Sequence, residues 1–373
     1  MSKVAPFRAV IACGGTGGHL FPGLAVAETL KERGHEVLLF VSEKEIDATA
    51  LKARPEFRSE KLPSIGMPSM LLSPAFVRFL RRSWESLSLC RASFRRYRPS
   101  VVLGMGGFTS TAPVLAARLA GLPAFVHESN AIPGRANRLA AKFATNVLLG
   151  FEEAAERFPT ASCLVTGTPV RRNLGAPLDK REARRAFHLD PEKKTLLVTG
   201  GSQGAAGINQ LLFKSAPLLA GKDLQIIHLT GERDDRLAAA NYLRDEIPHY
   251  VSPFHHRMEE AYSAADVVIS RAGASSLSEI SQFGLPSVLI PYPYATDDHQ
   301  TANGRIYVAG GAAEMVTEQE TNPEALSALI LNLLDDPARR ERMSTAARRI
   351  PPSRAASNVA DVMEKAVREA GKK

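Results

Sequence analysis

Apolar positions in this chain fall in short unbroken runs, not in strict alternation. In the first half the runs cover residues 7–13, 36–41, 101–103 and 124–126. Three of them end in small or polar turns: Gly14-Gly15-Thr16-Gly17-Gly18-His19, Gly104-Met105-Gly106-Gly107 and His127-Glu128-Ser129-Asn130. Between the first two runs, residues 20–33 have helical character and are closed by Gly34. Continuous apolar strands alternating with helices predict a parallel sheet covered on both faces.

The pattern restarts in the second half. Residues 195–199 run into Gly200-Gly201-Ser202-Gln203-Gly204, and a helix follows from Asn209. Further runs at 224–229, 267–270 and 287–290 end in Thr230-Gly231, Arg271-Ala272-Gly273-Ala274 and Pro291-Tyr292-Pro293. Asn322-Pro323-Glu324 supplies a cap, a proline at the first helical position and an acid in the first turn, so a helix starts there. The chain therefore reads as two doubly wound α/β domains, 1–170 and 171–351, joined where Gly, Pro and Thr cluster at 165–176. Pro351-Pro352 breaks the last helical stretch, and segment 352–373 can pack back on the first domain. The length of 373 residues and the 45% apolar content suit two packed cores. In such folds ligands sit at the carboxyl ends of the strands, where all these turns lie.

The first glycine turn is either an anion cradle at a helix N-terminus or a tight turn without a ligand. No Lys-Ser or Lys-Thr pair follows it, so it is not a Walker A loop. Leu20 stands where G-x-G-x-x-G needs its last glycine, and Glu43 is only a weak ribose partner after the second strand; a nicotinamide enzyme fits poorly. His19 begins the helix, either as a neutral base for a hydroxyl or as a packing residue. The turn at 200–204 repeats the device, with Ser202 and Gln203 as phosphate donors. Glu279, following Ser275 and Ser276, is either part of a capping box or a carboxylate for ribose hydroxyls. Asp297-Asp298-His299-Gln300 with Asn303 suits sugar hydroxyls better than a metal.

The net charge of +8 fits an anionic partner or simply good solubility. Its densest basic stretch is at 67–98. There Leu72, Phe76, Phe79, Leu80, Ser83, Trp84 and Leu87 follow a helical period, with Arg78, Arg81 and Arg82 expected opposite and Arg91, Arg95, Arg96 and Arg98 beyond. Such a helix suits an anionic membrane surface or a core-packed face. The arginines are not interleaved with stacking aromatics, which speaks against nucleic acid. Cys13, Cys90 and Cys163 are far apart and lack metal-ligand spacing, so a reducing compartment and buried thiols are expected. The first apolar stretch is too short for a signal peptide, and no run reaches the ~20 residues of a membrane span.

Taken together the motifs resemble the MurG family of bacterial peptidoglycan glycosyltransferases. The matching pieces are GGTGGHLFP at 14–22, GMGGF at 104–108, HESN at 127–130, GTPVR at 167–171, GGSQGA at 200–205, RAGASSLSE at 271–279 and DDHQTAN at 297–303. The resemblance implies a GT-B fold, two Rossmann-like domains facing a cleft. It implies inverting transfer of N-acetylglucosamine from UDP-N-acetylglucosamine to the 4-hydroxyl of lipid I, giving lipid II, with no cofactor and no required metal. By the family pattern Ser202 and Gln203 face the diphosphate, Glu279 takes the ribose, and Ala274 and Ser275 lie nearby. Phe254 and His255 flank the uracil, and Gln300 and Asn303 hold the sugar. Thr16, Gly17, Gly18, Asn130 and Arg171 line the other side, and His19 is the first choice of base. The resemblance also implies a peripheral place on the cytoplasmic face of the plasma membrane, and it admits partners from a cell-wall synthesis complex. Ser129, Thr168, Phe108, Ser276, Gly304 and His255 depart from the commoner pattern. Phe108 lacks the hydroxyl of the frequent tyrosine, which leaves any polar acceptor role there in doubt. The rival readings are another GT-B enzyme (a glycolipid glucosyltransferase or a UDP-sugar epimerase) and a non-catalytic nucleotide-sugar-binding protein.

Overall fold

The computed structural model describes residues 5–52, 54–63, 66–68, 73–171, 174–201, 204–350 and 354–371. The chain divides into two compact units, one of residues 1–171 and 354–373 and one of residues 172–353.

The first unit opens with β1 (Arg8–Ala12), α1 (Gly17–Glu32), β2 (Glu36–Val41), α2 (Glu45–Lys52) and β3 (Arg58–Lys61). It continues with α3 (Pro74–Tyr97), β4 (Val101–Gly104), α4 (Phe108–Leu119), β5 (Ala124–Glu128), α5 (Arg135–Ala140), β6 (Asn146–Leu149) and β7 (Cys163–Val165). The strands form one parallel sheet in the order β3-β2-β1-β4-β5-β6-β7. Its central strands are unbroken apolar runs because both faces are covered. Val10, Leu38, Phe40, Val102 and Val126 pack on one side with Cys90 and Phe94 of α3, and Ile11, Leu39 and Leu103 pack on the other with Leu24 and Leu30 of α1.

The second unit holds α6 (Lys180–Ala186), β8 (Thr195–Thr199), α7 (Ala206–Leu219), β9 (Gln225–Leu229), α8 (Asp235–Arg244), β10 (His249–Ser252) and α9 (Met258–Ala264). Then come β11 (Val267–Ser270), α10 (Ala274–Phe283), β12 (Ser287–Leu289), α11 (His299–Ala309), β13 (Ala313–Met315), α12 (Pro323–Asp335) and α13 (Pro337–Ala347). Its sheet is also parallel, ordered β10-β9-β8-β11-β12-β13. Helix α12 starts at the cap read from the sequence: Asn322 Oδ1 accepts the Ala325 N–H at 2.8 Å.

The last helix, α14 (Ala355–Ala370), packs on α1 in the first unit. Val359, Ala360 and Met363 enter that unit's core. Arg33 pairs with Asp361 at 2.6 Å and with Glu364 at 3.1 Å, and His35 Nε2 also meets Glu364 at 3.1 Å. Asn358 Nδ2 donates to the Thr166 carbonyl at 3.1 Å.

The two strand orders decide where ligands can go. Each sheet reverses its winding beside its first strand, between β1 and β4 in one unit and between β8 and β11 in the other. A crevice opens at such a switch point, outside the carboxyl ends of the two strands.

Candidate active site

At the first switch point the turn after β1 meets the turn after β4. Thr16 caps α1 in extended backbone, and its Oγ1 lies 3.2 Å from His19 Nδ1. The His19 ring lies against the backbone of Gly106 and Gly107. A Cβ on Gly106 would come within 2.8 Å of its Cδ2 and Nε2, and one on Gly107 within 3.3 Å of its Nδ1. Both glycines have positive φ, 110° and 70°, and the first intrudes least when it has no side chain. Ser110 holds this turn in place: its hydroxyl accepts the Gly106 N–H at 3.0 Å and reaches the Gly106 and Ala12 carbonyls at 2.7 and 3.1 Å.

Burial among these groups pushes the His19 imidazole down to about 4, helped by the positive charge of Lys44 and opposed by Asp47. The ring is therefore neutral at pH 7. With its proton on Nδ1 it donates to Thr16 Oγ1, leaving the Nε2 lone pair for a substrate proton.

The glycine turn is less open to an anion than its composition suggests. The Gly15 N–H points inward, to the buried Asp47 carboxylate, at 2.9 Å from Oδ2. Gly17 and Gly18, at the start of α1, keep first-turn N–H groups that precede any intrahelical bond. An anion would meet those two and the positive end of the helix. Glu43, weighed above as a ribose partner, faces Arg82 at 3.3 Å on the surface; the carboxylate that enters the site region is Asp47.

Beside this, the end of β5 carries a buried polar cluster. His127 Nε2 lies 2.9 Å from the Gly167 carbonyl and Nδ1 lies 3.3 Å from Ser129 Oγ. Its pKa is pushed down to about 4, mainly by burial, so this ring too is neutral and donates from Nε2. Glu128 is buried and accepts from Asn130 N, Asn130 Nδ2, Gly134 N and Asn137 Nδ2, at 2.9, 3.2, 3.1 and 2.8 Å. Burial raises its pKa against those hydrogen bonds. Asn130 is thus held at the strand end by Glu128. Arg171 places its guanidinium 5.3 Å from the centre of the Phe21 ring.

In the second unit the turn after β8 leads into α7. Ser202 and Gln203 lie outside the described residues. Gly204 has φ 71°, and a Cβ there would collide with the Thr230 carbonyl, so this turn sits directly on the one after β9. Asn209 Nδ2 donates to that carbonyl at 2.9 Å, and Asn209 Oδ1 meets His228 Nε2 at 3.0 Å. Across the switch point, α10 is capped by Gly273 with no side-chain bond. The capping-box alternative for Glu279 therefore falls: Glu279 is the sixth helical residue, and its buried carboxylate accepts the Tyr262 hydroxyl at 2.9 Å. Ala274 and Ser275 form the first turn of the helix.

The remaining donor-side residues vary in setting. Phe254 is exposed and its ring meets that of His256 edge-on. His255 is partly buried: its Nε2 lies 3.1 Å from Glu260 and its ring packs against Phe187. Gln300 Oε1 accepts the Tyr292 N–H at 3.0 Å, and buried Asn303 donates to the Ala272 carbonyl at 3.1 Å. Arg271 meets Glu318 at 2.5 Å, lies over the Tyr292 ring and donates to the carbonyls of Ile290 and Pro291. Sequence reasoning did not single out Asp47, Lys44, Tyr262 or Asn137, which show no turn signal and read as ordinary helix or loop residues.

Helix α3 differs from the expected arrangement. Its buried stripe is Phe79, Ser86, Cys90, Ser93, Phe94 and Tyr97, with Phe79 edge-on to Phe108. Val77, Leu80 and Trp84 face solvent at 67%, 52% and 69% exposure. Arg78, Arg81, Arg91 and Arg95 are exposed with them rather than opposite them. The stretch is amphipathic twice over: the core takes one apolar stripe and leaves a second beside the basic residues. Leu72 lies outside the described residues. Cys13 and Cys90 are buried, whereas Cys163 is partly exposed.

Two parallel Rossmann-like sheets, each with a glycine turn at its switch point, suit a nucleotide-sugar enzyme of GT-B architecture, and the family patterns make it a glycosyltransferase. The sequence pattern of the glycosyltransferase family 28 N-terminal domain matches residues 9–149, and that of the family 28 C-terminal domain matches residues 195–365. The UDP-N-acetylglucosamine--N-acetylmuramyl-(pentapeptide) pyrophosphoryl-undecaprenol N-acetylglucosamine transferase of Geotalea uraniireducens is 38% identical over 363 residues, covering 95% of this chain and 97% of that one. The protein of the same name from Chlorobaculum tepidum is 40% identical over 365 residues, covering 95% and 98%. The crystal structure of Acinetobacter baumannii MurG superposes with a TM-score of 0.78 at 28% identity, covering 96% of this chain and all of that one. The chain belongs to the MurG family.

Proposed function

We propose that the chain transfers N-acetylglucosamine from UDP-N-acetylglucosamine to the 4-hydroxyl of the muramyl sugar of lipid I, forming lipid II, with His19 as the base. The match to the transferases above over 95% of the chain carries the activity. The acceptor oxygen attacks C1 of the donor sugar from the face opposite UDP, so the anomeric centre inverts. His19 Nε2 takes the hydroxyl proton as the new bond forms. Its neutrality supports this role, because an imidazolium has no lone pair to offer. The N–H groups of Gly17 and Gly18 and the start of α1 suit the acceptor's diphosphate. The turn at 200–204 and the start of α7 suit the leaving diphosphate of UDP. The test is a transfer assay with labelled UDP-N-acetylglucosamine and a short-chain lipid I analogue. Label retained in water-soluble material, with no lipid-linked disaccharide, would refute the reading.

On this reading Glu279, oriented by Tyr262, accepts the ribose hydroxyls of the donor. Hydrogen bonds to a charged group contribute about 1.5–3 kcal/mol, so Glu279→Gln is expected to raise KM for UDP-N-acetylglucosamine about tenfold to a hundredfold. Calorimetric titration with UDP checks it; unchanged affinity would remove Glu279 from the donor site.

The exposed Val77, Leu80 and Trp84, flanked by Arg78 and Arg81, support docking of α3 on an anionic membrane surface. Among the described residues no helix is long and apolar enough to cross a membrane. An arginine near an anionic leaflet is worth about 1 kcal/mol, and two added acids act against it to a similar extent. Leu80→Glu with Trp84→Glu is therefore expected to lower co-sedimentation with anionic vesicles about tenfold or more and to leave transfer to a soluble acceptor analogue intact. Equal partitioning of wild type and variant would remove this surface from the function.

A further inference from the structure

The connection after β2 carries a charged pair that the reaction as described does not use. Asp47 is fully buried. Its carboxylate accepts the N–H of Gly15 at 2.9 Å, the N–H of Ser42 at 2.9 Å and the hydroxyl of Ser42 at 2.5 Å. Lys44 Nζ donates to the carbonyl of the same Gly15 at 2.8 Å. A Cβ on Gly14 would collide with the Ser42 backbone and come within 2.7 Å of Asp47 Oδ2. Gly15 is thus gripped at its N–H by an anion and at its carbonyl by a cation. Four residues after Gly15 stands His19.

We infer that Asp47 and Lys44 are positioning residues: together they clamp Gly15, and through it set the place of His19 and of the Gly17 and Gly18 N–H groups. The inference deepens the reading of His19 as base and rests on it. A buried carboxylate with three short donors is costly to move, since release would leave it without partners in the interior. The clamp therefore fixes the turn before any substrate arrives, which is what a base needs if it is to meet a hydroxyl without reorganisation. The same two groups act on the ring by charge, Lys44 disfavouring the imidazolium and Asp47 favouring it. The other titratable groups on this side are Cys13, whose buried thiol is pushed up by burial and by the charge of Asp47, His127, neutral and buried at the end of β5, and Glu128, enclosed by Asn130, Asn137 and the Gly134 N–H. The turn at Gly106 and Gly107 brings no charge.

The experiment uses the full-length enzyme with three readouts: turnover, amide exchange at Gly15, and the titration of His19 followed by NMR of ring-labelled protein, assigned with His19→Ala. Asp47→Asn replaces an acceptor oxygen by an amide donor facing N–H groups. It is expected to lower kcat at least thirtyfold, to change KM for the donor less than threefold and to speed exchange of the Gly15 amide at least tenfold. Lys44→Met keeps the stem and removes the charge. It is expected to raise the His19 titration midpoint by half a unit or more and to lower kcat threefold to tenfold, and Lys44→Arg is expected to restore both. Lys44 is at the surface, so Lys44→Met keeps the question open to test even if Asp47→Asn fails to fold. Wild-type-like turnover and Gly15 exchange in Asp47→Asn, or a wild-type His19 midpoint in Lys44→Met, would overturn the inference. Full turnover in His19→Ala would instead overturn the base assignment, while the clamp would still be read from the Gly15 amide.

Discussion

His19→Ala is expected to lower kcat by about two to four orders of magnitude, the usual contribution of a positioned general base. The donor's KM is expected to change little, because the residues proposed for the nucleotide belong to the other unit. The pH profile sharpens the expectation. Burial and Lys44 hold the ring down to about 4, so the base stays unprotonated throughout the neutral and mildly acidic range. In the wild type kcat/KM is therefore expected to show no loss assignable to His19 between pH 7 and 5, whereas an ordinary histidine would already lose most of its free base there. Steady-state transfer measured across that range, in wild type and His19→Ala, checks both. Unaltered turnover in the variant would assign the proton to another acceptor.

Gly106→Ala is the second change with a large expected effect. The position combines a positive φ of 110° with a built Cβ only 2.8 Å from His19 Cδ2 and Nε2. Nε2 is the atom proposed to take the proton, so the collision falls on the reacting group. The ring cannot simply swing aside, because Thr16 holds its other nitrogen and Gly107 closes the same face. A displacement of about 1 Å at a reacting group costs on the order of 100-fold in rate, and that loss in kcat is expected here. Backbone strain adds about 1–3 kcal/mol of destabilisation, read by thermal unfolding. Gly121→Ala separates the two effects. Gly121 also has positive φ, 70°, but nothing lies within 4 Å of a Cβ there. That variant is expected to lose stability and keep kcat; an equal loss of kcat in both variants would show that strain, not the contact with His19, is responsible.

The alternation of strand and helix was legible along most of the chain because both sheets are parallel and covered on both faces. Most central strands are then nearly unbroken apolar runs followed by a turn, with β9 and its Gln225 and His228 an exception. The edges were less legible for the same reason. β3 is Arg-Ser-Glu-Lys and β10 is His-Tyr-Val-Ser, short polar segments whose pairing with β2 and β9 no apolar pattern announces. The basic stretch was legible as a helix, but its faces were not. Which of Phe79, Leu80 and Trp84 enters the core depends on what α3 meets, and it meets Phe108 and Phe40 through Phe79 and Phe94.

The same division runs through the site. His19 and Asn130 stand at a helix start and in a turn that local chemistry marks, Glu279 and Asn303 lie more than one turn into helices that follow such turns, and the seven ordered motifs were enough to identify the family. Geometry decided what each residue touches. Glu279 looked equally like a cap, until Gly273 proved to be the cap and Tyr262 the partner. His255 is a uracil neighbour by the family pattern alone, and geometry adds that its ring meets Phe187 and Glu260. By itself, then, the sequence determined the fold class, the family and the turns from which a site could be built, because each is written in residues adjacent along the chain. Only the tertiary structure decided that the turns at 14–19 and 104–107 share one switch point, that the His19 ring rests on Gly106, and that Asp47 and Lys44 grip Gly15. Those contacts are made where β1 lies between β2 and β4, and the pairing of strands far apart in sequence has no local signature.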